Sequence, residues 1–116
     1  MPGGTVADSL ATAPDWMREC YRMIIQEVRD HGPVHEDAVG VGVFLKTDRK
    51  LAEFRPRART AQLILFLPGP FEHPRRTGRP DLSTPRVAHY FTLRSPADLD
   101  PDLLGLVGVA HDFATD

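Results

Sequence analysis

From Trp16 the apolar residues recur at every fourth position, through Cys20 and Ile24 to Val28. Met17, Tyr21 and Ile25 widen the stripe, and Arg18, Glu19, Arg22, Gln26 and Arg29 fall outside it. This period predicts an amphipathic helix over about residues 13–31. Thr12 is placed to cap its first amides, Pro14 fits the first turn, Asp15 complements the positive helix end, and Gly32-Pro33 stops it.

The period then changes. Val41, Val43 and Leu45 alternate with other residues, Thr47-Asp48-Arg49 reads as a hairpin turn, and Leu51 to Arg55 form a second strand that Pro56 interrupts. The run Ala61 to Leu67, closed by Pro68-Gly69-Pro70, is too short for a helix and reads as a central strand. Pro68 to Pro85 contains five prolines and reads as a loop covering an edge or end of the sheet. In a last strand, Val87 to Arg94, Val87, His89, Phe91 and Leu93 share one face, and Ala88, Tyr90, Thr92 and Arg94 the other. Ser95-Pro96-Ala97-Asp98 and Asp100-Pro101-Asp102 are successive helix starts. The second opens a helix to about Ala114 with the stripe Leu103, Leu106, Val107, Ala110 and Phe113. The predicted fold is α+β, an antiparallel sheet of about four strands between an N-terminal and a C-terminal helix that pack on one face. Residues 1–11 read as a flexible tail and 12–116 as a single domain.

Composition agrees. A chain of 116 residues and 12.9 kDa, 41% apolar and 26% charged, suits one globular core. No run approaches the roughly 18 consecutive apolar residues of a membrane span. The start Met1-Pro2-Gly3-Gly4 lacks the basic and apolar regions of a secretory signal, and the single Cys20 has no internal disulfide partner, so a cytoplasmic location is expected.

Charge alters the picture more. The net charge is −2, yet residues 46–94 hold 11 basic residues against four acidic ones, a net of +7. The flanks hold three against twelve, a net of −9. Base therefore falls on the predicted strands and loops, and acid on the helices.

The runs Gly42-Val43-Phe44-Leu45-Lys46 and Leu51-Ala52-Glu53-Phe54-Arg55-Pro56-Arg57 are followed in the chain by Leu67-Pro68, His73-Pro74-Arg75 and Arg86-Val87-Ala88-His89. Together with the closing Leu93-Arg94-Ser95-Pro96-Ala97-Asp98-Leu99-Asp100, they resemble, in this order, a small bacterial domain family without an assigned activity. The likeness covers about residues 14–114, and Phe54 and Phe91 stand where that family often has aliphatic residues. The resemblance implies the helix–sheet–helix fold and leaves activity open.

Three constellations could carry chemistry. Arg55, Arg57 and Arg59 alternate, so an extended chain would point three guanidiniums to one side about 6.6 Å apart. With Lys46, Arg49 and Lys50 from the preceding hairpin and Arg75, Arg76 and Arg79 from the proline-rich loop, they can hold phosphates or carboxylates. The competing reading is a solvated edge that blocks aggregation. His89 lies in phase with an apolar face, which favours a buried structural imidazole over a general base near Arg55 or Arg57. His31 and His35 are four apart, but Gly32-Pro33 lies between them. They and the adjacent Glu36-Asp37 read as a solvated loop rather than a metal site, and His111-Asp112 as a helix-end cation beside a solvated acid. No glycine-rich phosphate loop, nucleophile elbow or zinc-finger spacing is present, and no cofactor or metal is expected. The expected function is a binding or accessory module whose basic face (Lys46, Arg49, Arg55, Arg57, Arg59, Arg75, Arg76) contacts an anionic ligand or nucleic acid. The alternatives are a homodimeric interaction module and a small enzyme built on His89.

Overall fold

The computed structural model describes residues 10–68, 76–77 and 86–115. Helix α1 spans Asp15–His31 and helix α2 Pro101–Ala114. Between them lie strands β1 (His35–Val39), β2 (Gly42–Lys46), β3 (Lys50–Pro56), β4 (Ala61–Pro68), β5 (Arg76–Thr77) and β6 (Arg86–Leu93). All pairings are antiparallel, in the spatial order β1-β2-β3-β4-β6-β5. The architecture is thus the expected α+β one, with five main strands rather than four and a two-residue strand at one edge. The proline-rich segment otherwise lies outside the described residues, as does the tail up to residue 9. Leu10 already belongs to the core, which moves the start of the folded chain upstream of residue 12.

The additional strand is β1. His35-Glu36-Asp37, expected as a solvated loop, pairs residue for residue with Lys46, Leu45 and Phe44. Its turn, Gly40-Val41, leaves Val41 53% exposed instead of in the strand. Gly42, which follows, has φ +152°, and a Cβ there would collide with the Phe54 carbonyl oxygen, so this position needs glycine. Between β2 and β3 the register shifts as Leu45 pairs Ala52 and Lys46 pairs Lys50. Leu51 is the extra residue of a bulge and is fully buried.

Strand alternation divides the sheet into two faces. One face carries Val43 and Leu45, Ala52 and Phe54, Leu63 and Leu65, and Phe91 and Leu93, all fully buried. These join a single core with Met17, Cys20, Ile24 and Val28 of α1 and Leu103, Val107 and Ala110 of α2, and the Tyr21 ring meets Phe54 edge-on at 5.6 Å. Both helices pack on this face. The other face presents, row by row across the strands, Asp37, Phe44, Glu53, Ile64 and Tyr90, and then Arg55, Gln62 and Thr92.

Local signals vary in how well they anticipate the helix ends. Asp100 caps α2, accepting the Leu103 amide at 2.9 Å as its position suggests. Thr12 does not cap α1; Pro14 occupies that position without a side-chain bond, and Arg18 ties down the entry by bonding the carbonyls of Leu10 and Ala13. Ser95-Pro96-Ala97-Asp98 forms one 3-10 turn, Pro96–Asp98, whose Asp98 accepts the Arg94 amide at 2.7 Å. In α2, Leu103, Val107 and Ala110 of the expected stripe are fully buried and Leu106 packs partly buried against the core, while Gly108 and His111 are buried in addition where α2 meets the end of α1. There His31 lies on Gly108, where a Cβ would clash with the imidazole.

Candidate anion-binding surface

The basic residues of the middle segment meet different fates. Lys46 pairs with Asp37 at 2.7 Å across the β1–β2 hairpin, and His35 reaches the same carboxylate at 2.9 Å. The hydrogen bond from Lys46 holds the Asp37 carboxyl below the usual aspartate range. Lys50 and Arg55 converge on Glu53, which is 5% exposed: Lys50 Nζ donates at 2.7 Å and Arg55 donates through Nε at 2.9 Å and Nη2 at 2.5 Å. The Lys50 ammonium also sits 4.2 Å from the Phe44 ring centre and 5.2 Å from that of Phe66. Arg49 turns away from this face altogether. Its guanidinium stacks 5.0 Å over the Phe113 ring and donates to the Phe113 carbonyl, satisfying the negative end of α2.

Arg57, Arg59 and Arg94 differ from these. The β3–β4 connection is a tight turn closed by the Arg57 amide on the Thr60 carbonyl at 2.8 Å, so Arg55, Arg57 and Arg59 do not form the evenly spaced extended row expected from their alternation. Arg55 stays on the strand, whereas Arg57 and Arg59 stand exposed at the sheet end. Arg57 Nη2 donates to Gln62 Oε1 at 3.2 Å, which places its guanidinium on the helix-free face beside Arg55. Ala61 pairs with Leu93, so the exposed Arg94 emerges next to the same turn. Among the described residues no ion pair joins Arg57, Arg59 or Arg94 to an acid. Arg94 was absent from the expected set, although its alternation with Tyr90 and Thr92 already put it on this face. Arg75 and the side chain of Arg76 lie outside the described residues; the Arg76 backbone pairs with Phe91 in β5.

His89 is fully buried on the helix-covered face, opposite Leu65. Arg55 and Arg57 occupy the other side of the sheet, so His89 is buried, as the favoured reading has it, and the alternative pocket of His89 with Arg55 or Arg57 is not assembled. Cys20 is buried in the core, and burial pushes its thiol up to about 11, which removes it as a nucleophile at neutral pH. Burial, reinforced by a hydrogen bond to Glu36, likewise raises the Tyr21 hydroxyl.

A cleft of about 410 Å³ opens at the opposite end of the sheet, lined by residues including Val34, His35, Lys46, Thr47, His111 and Thr115. His111, expected as a helix-end cation, is buried there. Its Nε2 faces the Pro33 carbonyl at 3.2 Å, which assigns the proton to that nitrogen. Thr115 closes the rim by donating to the His111 carbonyl at 2.8 Å. His31 lies 3.2 Å from Glu27 and 3.4 Å from Asp112, yet among the described residues no group of three His, Cys, Asp or Glu is arranged to hold a metal ion.

The described residues define an α+β domain in which both helices cover one apolar sheet face and no described helix covers the other, mixed face. No family model matches the chain, and neither a curated protein nor a solved structure is found to be similar to it. Among the described residues no helix is long and apolar enough to cross a membrane.

Proposed function

We propose that this protein is a binding module that takes a phosphate-rich anionic partner at the β3–β4 end of its helix-free sheet face. One observation carries the reading: Arg57, Arg59 and Arg94 stand at one end of the sheet with no carboxylate partner among the described residues, whereas Lys46, Lys50 and Arg55 are engaged by Asp37 and Glu53. Guanidiniums bind phosphate through paired N–H groups and shed water more readily than ammonium ions, so an arginine corner suits phosphate oxygens. The middle segment's net of +7, which already counts Glu53, contributes longer-range attraction.

Titrating fluorescently labelled inorganic polyphosphate by anisotropy tests the reading. Affinity is expected to fall linearly on a log–log plot as salt rises, because each neutralised phosphate releases counterions. The triple variant Arg57→Ala, Arg59→Ala, Arg94→Ala is expected to bind at least tenfold more weakly with a shallower salt slope. Equal binding by the triple variant, or no binding at about 50 mM salt, overturns it.

A further inference from the structure

Strand β1 ends the sheet on one side, and its outer backbone edge is unoccupied among the described residues. The hairpin turns through Gly40 and Val41 alone, so Val39 and Gly42 form the hydrogen-bonded pair that closes it, and bonding alternates from there. Asp37 and His35 bond through their backbone to Phe44 and Lys46, and Glu36 and Ala38 direct their N–H and C=O groups away from the sheet. We propose that this edge takes the same edge of a second copy of the chain, antiparallel about a two-fold axis at Glu36, so that two sheets continue as one.

Charge selects the alignment. Three two-fold alignments set outward residues of β1 opposite one another: Glu36 against Glu36, Glu36 against Ala38, or Ala38 against Ala38. The second places the two Asp37 carboxylates directly face to face, which is destabilising. The third leaves Asp37 opposite Val39 and Glu36 opposite Gly40, so the ladder runs into the hairpin turns. The first is complementary. On the helix-free face His35 of each copy stands opposite Asp37 of the other at about 4.5 Å between Cα atoms, and these two groups already pair at 2.9 Å within one chain. On the helix side the partly exposed Val34 and Ala38 meet in the same way. Glu36 meets its own copy on the axis, but Arg29 donates to its carboxylate at 2.6 Å and the Tyr21 hydroxyl donates as well, so each negative charge arrives with its own counter-ion. A bare edge of uncharged residues would pair in any register, whereas the sequence His35-Glu36-Asp37 restricts this one to a single closed pair.

Sedimentation velocity on the full chain, from about 1 µM to about 1 mM, is expected to show a reversible monomer–dimer equilibrium with no larger species. Ala38→Pro removes the outward amide without touching a bond to β2, and proline is tolerated on an edge strand, so it is expected to weaken the dimer at least tenfold with an unchanged circular dichroism spectrum. His35→Asp sets an acid opposite Asp37 of the second copy at two places and is expected to weaken it at least tenfold as well. His35 is exposed, so this variant carries the test should Ala38→Pro fail to fold. Exchanging the two residues, His35→Asp with Asp37→His, is expected to recover most of the lost affinity. Lys46 stands directly opposite position 35 and keeps a carboxylate neighbour in that variant. A chain that stays monomeric over the whole range, a dimer indifferent to both single substitutions, or an exchange variant no tighter than His35→Asp overturns the proposal.

Discussion

Phe44 and Phe54 sit on neighbouring strands of one sheet and point to opposite faces, and the comparison between them separates what holds this molecule together from what it can offer a partner. Phe54 is fully buried, ringed by aliphatic side chains and the edge of Tyr21. Phe44 is half-exposed and lies under the Lys50 ammonium. The same alternation that seals one face against two helices leaves the other with Glu53, Arg55, Gln62 and Tyr90, groups with little place in a dry core unless partnered. The larger apolar core therefore lies on one side of the sheet and most of its charged and polar groups on the other, around the buried Ile64.

Paired truncations break this comparison most directly. Phe54→Ala is expected to cost about 3–5 kcal/mol, the usual range for deleting a buried aromatic and leaving a cavity, which is a large share of the ~5–15 kcal/mol that holds a domain together. Phe44→Ala, with its ring already half in water, is expected to cost about 1–2 kcal/mol, including the lost cation–π contact. Urea denaturation monitored by circular dichroism reads both. Similar costs for the two would mean that the helix-free face is as well packed as the other.

Glu53 sharpens the comparison from the opposite direction, because it is a charge nearly sealed from solvent on the face that lacks helices. It holds Lys50 and Arg55, whose side chains keep about a third of their exposure. Glu53→Ala leaves two neighbouring cations without their shared counter-ion and is expected to destabilise by about 2–3 kcal/mol. That is somewhat less than for a fully buried pair, since both cations can turn toward water. Glu53→Gln keeps acceptor geometry and is expected to cost about 1 kcal/mol, with the same denaturation assay. The variants also test the division of labour on this face. If Glu53 neutralises Lys50 and Arg55 so that only the corner arginines attract anions, its removal strengthens polyphosphate binding in the fraction that remains folded.

Much of this was legible in the sequence, and the parts that were not share a physical cause. The fourfold repeat of Trp16, Cys20, Ile24 and Val28 and the alternation of Val87 to Leu93 report burial against one surface, and burial is what periodicity measures. Strand β1 escaped because its side chains are satisfied by specific partners instead: Glu36 by Tyr21 and Arg29, and Asp37 by Lys46 and His35. A polar edge strand gives no periodic signal. The stripe of α2 held at Leu103, Val107 and Ala110 but was incomplete for a related reason, since Gly108 and His111 are buried by their fit to His31 and Pro33, a contact between segments more than 70 residues apart. The basic segment was visible as a count. Its division into members with and without an acid partner among the described residues depended on where Asp37 and Glu53 fall in register and on a turn that breaks the Arg55-Arg57-Arg59 row, neither of which spacing alone reveals.

The smallest expected effect lies at the rim of the helix-free face, where Asp37 meets Lys46. Glu53 lies near the middle of that face and is covered by its partners; Asp37 lies in the edge strand and is open to water, so its pair is screened by salt and contributes correspondingly little. Its sign is nevertheless fixed. The Lys46 hydrogen bond lowers the folded-state pKa below the ordinary 3.8, so the contribution is present in full above that value and is lost as pH falls through the lower folded-state value. Asp37→Asn is expected to leave the melting temperature at pH 7 almost unchanged and to flatten the acid limb of the stability profile below about pH 4. Glu19, held down by Arg22 on the outer surface of α1, contributes with the same sign and supplies an internal control, since Glu19→Gln flattens the same limb without touching the sheet. An acid limb unchanged by Asp37→Asn but flattened by Glu19→Gln would show that the β1–β2 pair carries no net stabilisation. The edge strand would then be held by its backbone ladder and by Glu36 on the helix side.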